Sequence, residues 1–65
     1  MTKNKPQVIN GFYNYIVKYK KENDVKLNHF FSNDLKDLFE RINDWKSSNC
    51  VYQDEIIEIK QVMEG

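Results

Sequence analysis

Gln7-Val8-Ile9-Asn10-Gly11-Phe12-Tyr13-Asn14-Tyr15-Ile16-Val17-Lys18-Tyr19-Lys20-Lys21 is the stretch on which the architecture turns. Its apolar residues Ile9, Phe12, Tyr13 and Ile16, followed by Lys20, sit at the i, i+3, i+4, i+7 spacing of one helical face. The spacing predicts an amphipathic helix from Gln7 to about Glu22-Asn23. Pro6 stands where a first-turn proline is tolerated, and Lys20-Lys21 puts positive charge in the last turn, as the helix dipole favours. Gly11 weakens the pattern by about 1 kcal/mol relative to alanine. A second row, Val8, Phe12, Tyr15 and Tyr19, widens the apolar arc to about half the circumference. A small bundle buries one side of each helix, so Val8, Tyr15 and Tyr19 are expected at the rim, as a row for binding a partner protein or for homodimerisation. Tyrosine suits such a place, with large apolar area and a hydroxyl.

Working outward, Asp24 is placed to cap a short turn over Val25–Phe31. Ser32 is the next N-cap candidate, with Asp34 in the first turn behind it. Leu35, Leu38, Phe39, Ile42 and Trp45 follow at helical spacing, Asp37 precedes Arg41 by four, and the helix is expected to stop near Ser47-Ser48-Asn49. In the last segment Tyr52, Ile56, Ile59 and Met63 make a helical stripe, although Glu55–Val62 also has β-branched density and partial alternation. A lone strand there needs an edge to pair with. Nothing upstream reads as one, so residues 51–64 are assigned to a third helix.

The expected architecture is all-α, a small three-helix bundle with a short additional helical turn. Residues 1–6 form a flexible segment and residues 7–65 a single helical domain. The three stripes nominate Ile9, Phe12, Ile16, Leu35, Leu38, Phe39, Ile42, Tyr52, Ile56 and Ile59 as its core.

At 65 residues the chain is near the lower limit for burying a useful core, while 40% hydrophobic and 14% aromatic residues are too many for disorder. A single cysteine, Cys50, excludes an internal disulfide, and with one histidine it cannot supply a four-ligand zinc site. Oligomerisation or a partner is the remaining aid to a small core. The basic start, Met1-Thr2-Lys3-Asn4-Lys5-Pro6, is followed by no apolar run of signal-peptide or membrane-span length, and no Asn-x-Ser/Thr sequon occurs. A soluble, cytoplasmic protein without membrane association is expected. Nine lysines to one arginine, eight asparagines and no alanine are the bias of an AT-rich genome, common among bacterial mobile elements and phages.

No catalytic or cofactor chemistry is legible. With Gly11 and Gly65 the only glycines, a phosphate-cradling loop or dinucleotide fingerprint is excluded. His29 is the only base for a nucleophile such as Cys50 and reads as an ordinary half-exposed residue. Asp34, Asp37, Arg41 and Asp44 share a helix face, and with an arginine among the acids that face reads as solvated. We expect no enzyme, no metal and no cofactor.

Charge is uneven. Residues 1–27 hold six lysines against Glu22 and Asp24, and residues 28–65 hold eight acids against Lys36, Arg41, Lys46 and Lys60, so the halves carry +4 and −4. The basic, tyrosine-rich first helix offers a nucleic-acid-associated accessory role, opposed by Asp34 and Asp37 at the start of the next helix. Asp34, Asp37, Glu40 and Asp44, joined by Asp54, Glu55 and Glu58 from an antiparallel third helix, are expected to form one acidic surface for a basic protein face. The expected function is a small non-enzymatic protein-binding module, a regulator or inhibitor that occupies its partner. A structural assembly subunit is the further alternative.

Overall fold

The computed structural model describes residues 5–64, and it is a sheet with one helix rather than a helical bundle. The elements are β1 (Lys5–Pro6), β2 (Val8–Ile9), β3 (Phe12–Lys21), β4 (Asp24–Ser32), α1 (Leu35–Asn49), a 3₁₀ turn (Gln53–Glu55), β5 (Ile56–Gln61) and β6 (Met63–Glu64). The first predicted helix is thus replaced by β2 and β3, the short helical turn by β4, and the third helix by β5 and β6. Only the central helix stands where expected. Of the segment expected to be loose, residues 1–4 lie outside the described residues, and Lys5–Pro6 are paired with Glu64 and Met63.

The reason lies in β3 itself. Tyr13, Tyr15, Val17 and Tyr19 alternate with Asn14, Ile16, Lys18 and Lys20, which is the period of a strand. β-Branched and aromatic side chains lose less in an extended backbone than in a helix. The helical stripe ended on Lys20, a charged residue, whereas every odd position of the alternation is apolar or aromatic. At the strand's end Glu22 and Asn23 both adopt positive φ, 53° and 63°. Two such residues form a type I′ turn, whose twist matches that of the flanking strands. Lys21 and Asp24 close the hairpin, and the register runs without interruption to Tyr13 opposite Ser32.

β3 is the central strand. β4 covers one edge along its length, while the other is shared by β2, opposite Phe12–Tyr13, and β5, opposite Tyr15–Tyr19. Where these meet, the Gln7 N–H donates to the Val62 carbonyl (2.8 Å), Asn14 N–H to that of Gln7 (3.2 Å), and Val62 N–H to that of Asn14 (2.8 Å). The chain ends peel away from this junction to form the β1–β6 pair. β4 and β5, both antiparallel to β3, run parallel to each other, and α1 makes the crossover between them.

α1 lies on the face to which β3 presents its odd-numbered residues. Tyr15, Val17, Phe30, Leu38 and Ile42 form the buried core, with Tyr13, Tyr19, Trp45 and Ile56 packed against it. Trp45 meets Tyr19 and Phe30 edge to face, at centroid distances of 4.9 and 5.5 Å. Of the expected core, Leu38 and Ile42 are buried and Ile16 and Ile56 half-buried. Ile9, Phe12, Tyr52 and Ile59 are exposed, because the stripes that grouped them do not exist as helices, and Leu35 and Phe39 are exposed on α1 itself, whose buried side is Leu38 and Ile42.

The helix starts two residues later than its predicted cap. Asp34 is the N-cap and accepts the Lys36 N–H (3.1 Å). Ser32 is instead fully buried in β4, where its hydroxyl donates to Asp37 Oδ2 (2.7 Å). The helix ends on Cys50 at φ 53°, whose N–H reaches the Lys46 carbonyl. Lys21 ties the hairpin to this end by bonding the Cys50 carbonyl and Glu55 (3.4 Å), with its ammonium 5.3 Å from the Tyr52 ring centre.

Candidate interaction surface

One helix covers one face of the sheet. The other face carries no layer among the described residues, and the register says what it displays. Opposite the Asn14, Ile16, Lys18 and Lys20 column of β3 stand Phe31, His29, Leu27 and Val25 of β4. On the other side stand Lys60 and Glu58 of β5 and, further up, Ile9 beside Phe12. The β4 column is the most apolar, with Val25 53%, Leu27 58% and Phe31 42% exposed. An open groove lined by Ile16, Lys18, Val25, Leu27, Glu58 and Lys60 runs across the lower half of this face. Its upper half holds a polar network. Asn14, buried, donates to Gln7 Oε1 (2.7 Å), and its Oδ1 accepts from His29 Nδ1 (3.1 Å).

The edges of the sheet differ. β5 has six residues, carries Glu58 and Lys60, and is broken by a register shift opposite Lys18/Tyr19. Charge and a bulge are the usual protection of an edge strand. β4 has nine residues in unbroken register, contains no proline, and pairs with β3 alone among the described residues.

The residues singled out from the sequence fall into two groups. Val8 lies exposed on β2 opposite Tyr13, whereas Tyr15 is 7% exposed in the core and Tyr19 packs on Trp45, so the three share no surface row. In a strand, odd-numbered tyrosines beside a helix turn inward, and the rim on which they were expected does not exist. Asp34, Asp37, Glu40 and Asp44 do all belong to the α1 end and exposed side, but two are engaged locally. Asp34 caps the helix, and Asp37 accepts from Ser32 and from Arg41 Nε, both at 2.7 Å. The Arg41 guanidinium, then the Ser32 hydroxyl, holds the Asp37 carboxyl below its ordinary range. The helix that was to bring further acids alongside is absent: Asp54 and Glu55 stand in the 3₁₀ turn and Glu58 on the bare sheet face. Glu55 is lowered by the Tyr52 backbone N–H, then by Lys21.

Sequence reasoning missed Val25, Leu27 and Phe31 as a surface. Their spacing of two and four within a run rich in Val, Leu and Phe was the available signal. Among the described residues no three His, Cys, Asp or Glu side chains gather as a metal site, and no helix is long and apolar enough to cross a membrane. Comparison with protein families, with curated proteins and with solved structures finds no match.

Proposed function

We propose that the protein is a small non-enzymatic binding module, a regulator that acts by occupying a partner protein through the bare face of its sheet. One observation carries this reading. Among the described residues twelve large apolar residues are exposed and six are buried, so more hydrophobic side chains lie at the surface than in the core. Scattered exposed apolar residues need no explanation, but Val25, Leu27 and Phe31 gathered along one strand face support a contact surface. The exposed lone thiol of Cys50 fits a reducing compartment, and a cytoplasmic location belongs to the proposal.

The test is retention of host protein on the immobilised chain after nuclease treatment, comparing wild type with the pair Leu27→Lys and Phe31→Lys and with the helix-surface pair Glu40→Lys and Asp44→Lys. Loss with the sheet pair alone supports the reading. Loss with the helix pair alone transfers the binding site to the acidic surface of α1.

A second reading rests on Lys18, Lys20 and Lys60, which share the bare face with Phe12 and Phe31. Lysines around exposed aromatics suit single-stranded nucleic acid, by phosphate contact and stacking. Tyr13, Tyr15 and Tyr19 of the same basic segment instead face α1. Retention of an oligonucleotide that weakens steeply with salt, and is lost on Phe12→Ala with Phe31→Ala, distinguishes this reading from protein binding.

A further inference from the structure

The type I′ turn fixes which backbone groups of β4 are spoken for. Lys21 and Asp24, flanking the two-residue loop, exchange both of their backbone hydrogen bonds. Alternation then commits Lys26, Asn28, Phe30 and Ser32 to β3 and turns the N–H and C=O groups of Val25, Leu27, His29 and Phe31 to the open edge. The same alternation turns the Asn14 backbone to the far side of β3, and there it is bonded to Gln7 and Val62. At the open edge the His29 carbonyl holds, among the described residues, only a long contact, 3.5 Å, from Asn28 Nδ2.

We propose that β4 pairs antiparallel with β4 of a second copy about a two-fold axis through Asn28, making one continuous sheet across the dimer. This centre overlaps all nine residues. It sets Val25 opposite Phe31 of the second copy and Leu27 opposite its His29, so each of the four residues with outward backbone groups meets another such residue. On the helix side Asp24 falls opposite Ser32 of the second copy, with Lys26 diagonal to it. That Ser32 holds Asp37, and Asp37 holds Arg41. Lys26 therefore arrives near a group of opposite sign, the Asp37 carboxylate of the second copy, while Asp24 meets the neutral Ser32 end of the Ser32–Asp37–Arg41 chain. A centre at Lys26 would set two lysines against each other, and one at His29 two histidines. Self-complementarity of this kind is what a two-fold interface requires, and it argues for a second copy over an unrelated extended peptide. The β5 edge, short and bulged, offers no equivalent.

The inference stands apart from the binding reading, since its test contains no partner. Asn28 at the axis forms a non-hydrogen-bonded pair, with Cα atoms about 4.5 Å apart, inside the range a disulfide spans. In a Cys50→Ser background, Asn28→Cys is expected to cross-link into dimers on mild oxidation. Leu27→Cys, whose two copies lie about 7–8 Å apart on the diagonal, is not. Asn28→Lys sets two ammonium groups opposite each other and is expected to weaken the dimer about fivefold by sedimentation, with the monomer's circular dichroism unchanged. If this variant fails to fold, the cysteine pair decides alone. A wild-type chain that stays monomeric up to roughly 1 mM overturns the proposal. So does a dimer that cross-links through Leu27→Cys, or through Glu58→Cys on the β5 edge, and not through Asn28→Cys.

Discussion

β3 shows one face to a helix and the other to solvent, and apolar residues on the two faces of the sheet meet different fates. Toward α1 stand Tyr15, Val17 and Tyr19; away from it stand Ile16, Lys18 and Lys20. The contrast is sharper in β4, where Phe30 is 9% exposed and its neighbour Phe31 42%. Hydrophobicity alone does not separate the pair. What separates them is cover, because the described residues hold one helix, and one helix shields one side of a sheet. Two packed layers around one core are the minimum for a domain, and among the described residues the sheet and α1 make up those two layers.

The comparison is most directly broken at Leu38, which is 1% exposed at the centre of the helix–sheet contact. Leu38→Ala removes side-chain volume that its neighbours cannot refill and is expected to cost about 2–5 kcal/mol, read from urea unfolding. A loss below about 1 kcal/mol would mean that the covered face is as loosely held as the bare one.

A gain is expected where α1 ends. Cys50 sits at φ 53°, in the left-handed region that disfavours side chains with a Cβ. Cys50→Gly is expected to stabilise by about 1 kcal/mol, raising Tm by about 4–8 °C in a domain of this size. The hydrogen bond from Lys21 goes to the backbone carbonyl at this position and survives the change. An unchanged melting temperature would show that the helix end is too mobile to feel its cap, and that the cover over the sheet is softer than the core implies.

How much of this was legible in the residues follows the same division. α1 could be read because Leu38, Ile42 and Trp45 repeat at helical period and Asp37–Arg41 sits at the favourable spacing of four. β3 could not, because two periods coexist in it: Ile9, Phe12, Tyr13 and Ile16 for a helix, Tyr13, Tyr15, Val17 and Tyr19 for a strand. A glycine in the hairpin loop would have decided between them. Glu22 and Asn23 adopt the type I′ conformation without one, and Glu22 is a residue that gives no warning of positive φ. The error then spread. β5 did show alternation, but a strand needs an edge, and the edge it uses is β3. With β3 read as a helix, Tyr15 and Tyr19 fall on a rim rather than against α1, and Leu27 and Phe31 fall in a short helical turn rather than on a sheet face.

Acid sharpens the comparison by loosening the contacts that hold the cover. Asp37 is lowered from its ordinary 3.8 by Arg41 and Ser32, and Glu55 from its ordinary 4.5 by the Tyr52 N–H and Lys21. A carboxyl whose folded pKa is depressed stabilises the fold fully above its unfolded value and loses that contribution as pH falls through the folded one. Stability is therefore expected to be level above about pH 5 and to decline below about pH 4. Asp37→Asn with Glu55→Gln should flatten the decline. Both carboxyls are half-buried and still reached by solvent, so the effect is smaller than that of Leu38→Ala and diminishes with salt. A decline that persists in the double variant would assign acid sensitivity to other groups.

The smallest expected effect tests the bare face most strictly. Leu27 is the same residue type as Leu38, in the same small domain, and is 58% exposed. In a single copy Leu27→Ala removes a side chain that water already surrounds, so its unfolding free energy at low micromolar concentration should change by less than about 0.5 kcal/mol. If copies pair along β4, the same substitution acquires a cost as concentration rises, because association stabilises only the wild-type arrangement fully and makes Tm depend on protein concentration. Melting curves of wild type and Leu27→Ala, taken at low and high concentration, thus separate two kinds of exposure. Coincident curves at every concentration describe a leucine that is simply wet. Curves that part as concentration increases describe a face left bare by the single chain and completed by the second.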